Sequence, residues 1–585
     1  VVDTPPPSRR LQIFSVVVAS LVGVLLVRLW QIQVLQGATY FRLSEENRIR
    51  EYTLAAPRGV VYDRRGRILV TNRPAFTVAV LPLELRDPPA VTARLAALLG
   101  VSADQIDARL RAARSRPFEP VRVARDVDPA VVARIEENRL DLPGVIILAE
   151  PVRHYPHGSR AAHLLGYVGE IDSDELAARR AEGYRLGDLI GKAGVEKAYE
   201  SLLRGVDGRL RMEVDALGRP LRVLARQPPT PGRALVLTVD LDVQAAAEEA
   251  LQASGMDAGA VVVLDPSTGE VLALASMPSF DPNLFVRGIT AERWQALTSD
   301  RRRPLLNRAI SATYEPGSVF KLVTATAALE RGIVGRRTMF DAPGYFRLGQ
   351  WTFGDLRAWG RIDFITGIAH SVNVVFYTLG YRLGGEALAE YAFRLGLGEL
   401  TGIDLPGEVA GTIPTPATKR DLVGEPWYPG DAVNMSIGQG AVTVTPVQVA
   451  RMMAGLATAG RLMQPHVLRA VRHPQGSEQV APVLQRQVSL RPATLAVLRE
   501  GMQAVVDRGS GVAARLTGVT VAGKTGSAEN PRGRPHAWFA GYAPADHPRV
   551  VVVVFVEHGF RGGIAAAPVA RAVLAAALAR QEAAP

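Results

Sequence analysis

The sequence predicts a multidomain α/β protein with a single N-terminal transmembrane helix. Three observations carry that prediction. The chain has 585 residues, whereas a single hydrophobic core stops growing at roughly 250–300 residues. An almost unbroken apolar run, Leu11–Ile32, lies near the start. Strand patterns stand at both ends of the second half with helical patterns between them. One sheet is therefore assembled from distant parts of the chain and carries an inserted helical subdomain.

The elements follow in order. Residues 1–10 are polar and proline-rich, end in Arg9-Arg10, and form a short cytoplasmic tail. Leu11–Ile32 is 22 residues long, enough to cross about 30 Å of hydrocarbon at 1.5 Å per residue. Only Gln12 and Arg28 interrupt it, and Arg28 sits beside Trp30 near the far end, where it can snorkel. No small-x-small cleavage site follows, so a retained anchor is expected rather than a cleaved signal peptide. Arg9 and Arg10 place the N-terminus in the cytoplasm, although Arg42, Arg48 and Arg50 follow on the other side.

Residues 37–232 read as a mixed α/β pedestal. The segment Arg58-Gly59-Val60-Val61-Tyr62-Asp63-Arg64-Arg65-Gly66-Arg67-Ile68 suggests two strands about a turn, and residues 88–140 carry helical spacing. Glu45, Glu46, Arg48 and Arg50 are read as a solvated face or a pedestal contact. Gln227-Pro228-Pro229-Thr230-Pro231-Gly232 marks a boundary. The second domain, 233–580, opens with a strand pattern at Ala234–Val239 and a helix pattern at Val243–Leu251. Ala260–Leu264 and Glu270–Ala275 form a hairpin around Asp265-Pro266-Ser267-Thr268-Gly269. Helical patterns dominate from 318 to 460, and strands return at Val519–Ala522, Trp538–Tyr542 and Val550–Val556. The last is too short and too β-branched to be a second span.

Composition narrows the function classes. The net charge is +11, but the arginines are scattered and no nucleic-acid motif is present, so no nucleic acid partner is expected. Attraction to an anionic membrane or wall polymer fits the same charge. The absence of cysteine excludes disulfides, thiol catalysis and cysteine zinc sites. Of 68 basic residues only five are lysine: Lys192, Lys197, Lys321, Lys419 and Lys524. Arginine is never deprotonated in a protein, whereas a buried lysine can become a neutral base. A lysine that persists in so arginine-rich a chain is therefore a candidate for chemistry.

Glu315-Pro316-Gly317-Ser318-Val319-Phe320-Lys321 is the first such place. Ser318 opens an apolar helix, and Lys321, three residues on, lies on the same face. A serine hydroxyl is a poor nucleophile until an adjacent base removes its proton, and burial would lower the lysine pKa enough to supply that base. Alone the motif is weak, because serine is a common helix cap. Ser371-Val372-Asn373 adds a hydroxyl and an amide in a break between helices. Lys524-Thr525-Gly526-Ser527 follows a strand run. On an edge strand, Gly526 would let a substrate approach the backbone, while Thr525 and Ser527 bind a carboxylate and a backbone N–H faces an oxyanion.

Together the three motifs resemble those of the penicillin-recognising serine enzymes, Ser-x-x-Lys, Ser-x-Asn and Lys-Thr-Gly. Within that group the chain resembles a class B penicillin-binding protein over nearly its whole length. Further matches are Pro57-Arg58-Gly59 with Asp63-Arg64 and Gly66, His163-Leu164-Leu165-Gly166-Tyr167-Val168-Gly169, and Gly194-Val195-Glu196-Lys197-Ala198-Tyr199-Glu200. Leu264-Asp265-Pro266, Asn307-Arg308-Ala309 and Ser436-Ile437-Gly438-Gln439-Gly440 continue the likeness. Pro535-His536-Ala537-Trp538-Phe539-Ala540-Gly541-Tyr542 is closer to the elongation type than to the division type. Ser527 stands where threonine is common, and it keeps the hydroxyl.

The resemblance implies a C-terminal penicillin-binding, β-lactamase-like transpeptidase domain, an antiparallel sheet with helices, and D,D-transpeptidation of peptidoglycan stem peptides. Ser318 is implied as nucleophile, Lys321 as general base, and Ser371 as a proton relay tied to Lys321 and Lys524. Asn373 would hold the peptide amide, and the backbone N–H groups of Ser318 and Ser527 would form the oxyanion hole. β-Lactam antibiotics would acylate Ser318. The implied partners are a polytopic membrane glycosyltransferase of the SEDS type, the elongation complex and the membrane. The implied location is the inner membrane, single-pass, with the catalytic domain periplasmic. No cofactor and no metal is implied. Rival readings are a D,D-carboxypeptidase or β-lactamase, a β-lactam sensor or scaffold, and a division-type transpeptidase. His154 and His157 are read as a structural loop, His536 as packing near the Lys-Thr-Gly strand, and no glycosyltransferase domain is recognised.

Overall fold

The computed structural model describes residues 9–40, 49–113, 119–214, 220–473, 475–530 and 533–582. The expected contacts of Glu45, Glu46 and Arg48 lie outside the described residues, as do residues 1–8 of the tail and the side chain of Arg50.

Helix α1, Arg9–Trp30, continues through Gln31–Leu35, and none of its side chains is buried against the rest of the protein. Arg28 Nη1–H donates to Gln31 Oε1 at 2.7 Å, so the one charge inside the apolar run is satisfied locally. The mean hydropathy of Arg9–Leu35 is 2.3. An isolated apolar helix with no protein to cover it matches a lipid-facing span.

The pedestal begins with β1, Ile49–Leu54, followed by the long β2, Ile68–Val80, and β3, Val145–His154. Strand β2 pairs along its length with β3 and, at its C-terminal end, with Val121–Val127. That last strand was not expected, because residues 88–140 carry helical spacing. The helices are there, at Pro88–Leu99, Ala103–Ala112 and Pro129–Glu137. Between them, Val121, Val123 and Val127 alternate with Arg122 and Asp126 over too few residues to outweigh the helical pattern. The same sheet takes in Ala234–Leu237 and Leu468–His473 from the C-terminal half. A separate three-stranded sheet joins β1, β4 (Gly208–Val214) and Pro220–Gln227, with β1 at its edge.

A buried ion network holds the pedestal motifs together. Arg58 pairs with Glu196 at 2.7 Å and Glu200 at 2.9 Å, and Arg153 with Glu196 at 2.6 Å. Three further arginines tie the pedestal to the second domain: Arg64 to Glu270 at 3.0 Å, and Arg65 and Arg67 to Asp240 at 2.8 and 3.2 Å.

The second domain is built on a five-stranded antiparallel sheet. Its strands are β5 (Gly259–Leu264), β6 (Val271–Met277), β7 (Ala522–Asn530), β8 (Gly533–Ala543) and β9 (Val550–Val556), in the order β6-β5-β9-β8-β7. Every residue of β9 is buried. A central strand covered on both faces reads as an unbroken apolar run, which is why its sequence could be mistaken for part of a span. One face is covered by Leu241–Ala253 and by the C-terminal helix Gly562–Glu582, which is half buried despite its apolar length. Pro446–Ala457 packs against the same sheet. The helical insertion carries Lys321–Glu330, Phe364–Ala369 and Asn373–Arg394. It also contains two small hairpins between Met339 and Asp363 that the helical pattern did not foretell. Strand β7 is the outer edge of the sheet, and it carries the Lys-Thr-Gly motif.

Candidate active site

Ser318 lies in a single 3₁₀ turn, Gly317–Val319, which leads into the helix that starts at Lys321. The serine thus precedes the α-helix rather than opening it. The turn is held from two sides. Gly317 N–H donates to Gly438 O at 3.0 Å, and Trp538 Nε1–H donates to Glu315 O at 3.0 Å. It is also pressed against β7. Gly317 has φ +52°, and a Cβ there would lie 2.7 Å from Ser527 O. A Cβ on Gly526 would lie 2.9 Å from Pro316 O. Gly526 was expected to let a substrate approach; in the structure its missing side chain makes room for Pro316 O and Val319 Cγ2 of the Ser318 turn and for Trp538 Cβ of β8.

Lys321 is completely buried. Its ammonium group donates to Ser371 O at 2.7 Å, to Ser371 Oγ at 3.1 Å and to Asn373 Oδ1 at 2.6 Å. Burial pushes its pKa down to about 7, and the charge of Asp355 acts in the opposite sense. Among the described residues the Ser318 hydroxyl has no hydrogen-bond partner. Ser371 has φ +59°, a left-handed conformation that costs a non-glycine residue about 1–3 kcal/mol. The conformation lies between two helices, with Ser371 N–H on Ile368 O at 3.1 Å and Val372 N–H on Gly367 O at 2.9 Å. It accompanies a backbone carbonyl and a hydroxyl that both meet Lys321.

Lys524 is also completely buried, and burial, with the Lys321 charge adding, holds its pKa well below the ordinary lysine value. Its Nζ–H donates to Thr525 O at 3.0 Å. Ser371 is therefore bonded to Lys321 and, among the described residues, not to Lys524, contrary to the double tie the resemblance implied. Thr525 Oγ1 shares a hydrogen bond of 2.6 Å with Ser510 Oγ. Ser527 is exposed, and its Oγ accepts from Gly562 N–H at 3.3 Å. The structure thus brings Ser318, Lys321, Ser371, Asn373, Lys524, Thr525, Gly526 and Ser527 together at the β7 edge of the sheet.

Three neighbours were missed from sequence. Asp355 accepts Val374 N–H at 3.0 Å and so fixes the helix that begins at Asn373. Ser510 engages Thr525. Glu315 has its carboxyl pushed up to about 7 by burial, with Glu529 adding and the Gly440 N–H opposing. Asp355 and Ser510 have no spacing signal, and only the fold brings them in; Glu315 stands three residues before Ser318 in the same motif, with no role expected of it there. His536 stacks among Tyr314, Phe555 and His558, and His157 Nε2 sits 3.0 Å from Ile68 O. Among the described residues no group of three or more His, Asp or Glu side chains is placed to hold a metal ion.

The chain matches the family model of the penicillin binding protein transpeptidase domain over residues 259–575 and that of the penicillin-binding protein dimerisation domain over 53–237. It is 35% identical to the peptidoglycan D,D-transpeptidase MrdA of Acinetobacter baumannii, over 93% of this chain and 84% of the relative. This chain belongs to the class B penicillin-binding proteins of the elongation type. The MrdA of Escherichia coli K12 is 32% identical over 95% of this penicillin-binding protein and 92% of the relative. Among solved structures, PBP2 in a complex with MreC from Helicobacter pylori matches with a TM-score of 0.78 at 28% identity, covering 92% of this chain and 99% of the other. A chain from a peptidoglycan synthase complex, described as coordinating polymerization and crosslinking, matches with a TM-score of 0.72 at 36% identity, covering 97% and 98%.

Proposed function

We propose that this protein is a membrane-anchored, elongation-type peptidoglycan D,D-transpeptidase that acts through a Ser318 acyl-enzyme and is inhibited by β-lactams. The observation that carries the reading is the buried Lys321 amine, three residues past Ser318, ringed by Ser371 and Asn373. A neutral amine has two N–H bonds and one lone pair. Ser371 O and Asn373 Oδ1 account for the two N–H groups, and the third direction, which Ser371 Oγ now meets at 3.1 Å, is the one along which the lone pair accepts a hydroxyl proton.

Ser318 Oγ attacks the carbonyl carbon of the penultimate D-alanine as its proton passes to Lys321 Nζ. The backbone N–H groups of Ser318 and Ser527 take the developing oxyanion. The C–N bond to the terminal D-alanine breaks, and its nitrogen leaves with a proton delivered through Ser371 from Lys321. The amine of a neighbouring stem peptide then attacks the ester, releasing Ser318. Asn373 keeps its oxygen on Lys321 and offers its NH₂ to the peptide. Lys524, through its Nζ–H on Thr525 O, steadies the strand that presents Thr525 and Ser527 to the substrate carboxylate, and Ser510 positions the Thr525 hydroxyl. A β-lactam enters the same acylation and leaves an ester that no departing amine clears.

We divide the chain into a cytoplasmic tail 1–10, a span 11–32, a pedestal 37–232 and a transpeptidase domain 233–580 that faces the periplasm. The partner is a polytopic SEDS-type glycosyltransferase within the elongation complex, a reading supported by the kinds of assembly in which the structural neighbours occur. Helix α1 supports it too. Ala19 and Gly23 form a small-xxx-small pair, and a Cβ at Gly23 would meet nothing within 4 Å, so that face is open to another helix.

The test is a turnover assay on the full-length protein with a pentapeptide donor and an amine-bearing stem as acceptor. Cross-linked dimer and free D-alanine in equal amounts are expected, and Ser318→Ala should make neither. Release of D-alanine without dimer in the presence of acceptor and partner would turn the reading towards a carboxypeptidase.

A further inference from the structure

A cavity of about 410 Å³ lies in the pedestal between β1, β3 and the loop around Leu186. Five buried side-chain nitrogen or oxygen atoms lack a hydrogen-bond partner among the described residues, and three of them, Thr77 Oγ1, Arg125 Nε and Arg153 Nη2, belong to residues that line this one cavity. The Thr77 hydroxyl lies near Glu150 and helps hold its pKa down, without a hydrogen bond of ordinary geometry. The two guanidinium groups carry more weight. The Arg153 side chain is 1% exposed, with Nε–H on Glu196 Oε1 at 2.6 Å and Nη1–H on Gly59 O at 2.7 Å, which leaves Nη2 unmatched. Arg125 Nη2–H donates to Gly187 O and leaves Nε unmatched.

The charges in the wall single out Arg125. Arg58 pairs with Glu196 and Glu200, Arg122 with Glu150, Arg185 with Glu119 and Arg204 with Asp188. Arg125 alone among the lining arginines has no carboxylate partner among the described residues. A buried guanidinium keeps its charge and is costly to leave without a hydrogen-bonded anion. Five carboxylates, Glu51, Glu119, Glu150, Asp188 and Asp207, line the cavity against six arginines, a balance that favours a singly charged carboxylate over a phosphate dianion.

The shape adds a direction. Residues 51–56 line the cavity consecutively. Residues 51–54 belong to β1, where successive residues point to opposite faces, and Leu210 and Met212 of β4 line the cavity too, so it reaches over one face of their sheet and along β1. That strand is the edge of its sheet, and an edge strand can take a further extended peptide.

We propose that this pedestal cavity binds an extended peptide that ends in a carboxylate, with the peptide along the β1 edge and its carboxylate on Arg125 and Arg153. The proposal rests on the wall-enzyme reading for one point only, that stem peptides with free carboxylates are the peptides this pedestal meets.

The test uses full-length protein in detergent, first acylated with benzylpenicillin so that the active site is closed. Calorimetric titration with a disaccharide tetrapeptide released from peptidoglycan should show one saturable site. Its C-terminal carboxamide should bind at least ~10-fold more weakly, the loss expected for one charge-assisted contact. Arg125→Gln should weaken the tetrapeptide by a similar factor. Ala55→Trp, which fills the cavity edge and leaves Arg125 in place, should do the same if Arg125→Gln proves poorly folded. Penicillin labelling should be unchanged in both variants. No binding to the acylated wild type, or equal binding by both folded variants, overturns the proposal and leaves water as the partner of these donors. Arg125-dependent binding of inorganic phosphate or phosphatidylglycerol in place of the tetrapeptide overturns it as well. Failure of the wild type to label with penicillin at all would instead count against the wall-enzyme reading.

Discussion

Replacing Lys321 with arginine isolates the base from the charge. An ordinary lysine, with a pKa of about 10.4, is neutral in roughly one molecule in 2,500 at pH 7. With the value pushed down to about 7 by burial, about half the molecules are neutral, a gain of about 10³ in competent base. Arginine keeps the positive charge and cannot give up its proton, so Lys321→Arg forfeits that gain. Loss of a general base costs about 10²–10⁴-fold, and the same range is expected here for the rate of acylation by a fluorescent penicillin, with Lys321→Ala no worse than about as slow. In the wild type the rate should rise with pH through a midpoint near 7, because the neutral amine is the active form. The Lys321 charge also depresses Lys524, so the observed midpoint belongs to the pair. Glu315 is pushed up to about 7 as well, and Glu315→Gln should leave the limb in place. A Lys321→Arg protein within a few-fold of the wild-type rate would refute the reasoning, since Lys321 would then serve only as a charge.

Four further outcomes follow from particular contacts. Asp355 raises the Lys321 pKa, so Asp355→Asn, which can still cap Val374, should move the acid limb of the acylation profile to lower pH; an upward shift or none would contradict this. Gly526→Ala puts a methyl group 2.9 Å from Pro316 O and should slow acylation at least ~10-fold by displacing the Ser318 turn while circular dichroism stays native. Arg58→Met leaves Glu196 and Glu200 partly unpaired in the pedestal core and should destabilise the fold by about 3–5 kcal/mol in chemical denaturation. Exchanging Leu11–Ile32 for an unrelated span should weaken co-purification with the glycosyltransferase and leave penicillin acylation intact; normal co-purification would make α1 a tether.

Much of the fold was legible because period and punctuation agreed with tertiary structure. The hairpin about Asp265-Pro266-Ser267-Thr268-Gly269 and the strand Val550–Val556 lie where they were read, the latter because a strand buried on both faces must be apolar throughout. Val121–Val127 was not read, since Arg122, Arg125 and Asp126 interrupt its apolar alternation and blend into the arginine-rich helices on either side. The Met339–Asp363 hairpins were hidden by the helical stretches that flank them. In the site, Ser318, Lys321, Ser371, Asn373 and Lys524 carried local motifs and scarce lysines. Asp355 and Ser510 act through contacts from distant parts of the chain, as does Trp538, read only as part of a family likeness, and a sequence holds no periodic trace of such contacts. The orientation of Lys524 towards Thr525 O rather than Ser371 is likewise a matter of strand geometry.

The most direct test of the central claim is to map the covalent adduct. Full-length protein is incubated with a labelled penicillin, digested, and the modified peptide sequenced by mass spectrometry. A single adduct on Ser318 is predicted, with no labelling of Ser318→Ala. An adduct on another serine, or full labelling of the Ser318→Ala protein, would contradict the assignment of this cluster as the acyl-transfer site.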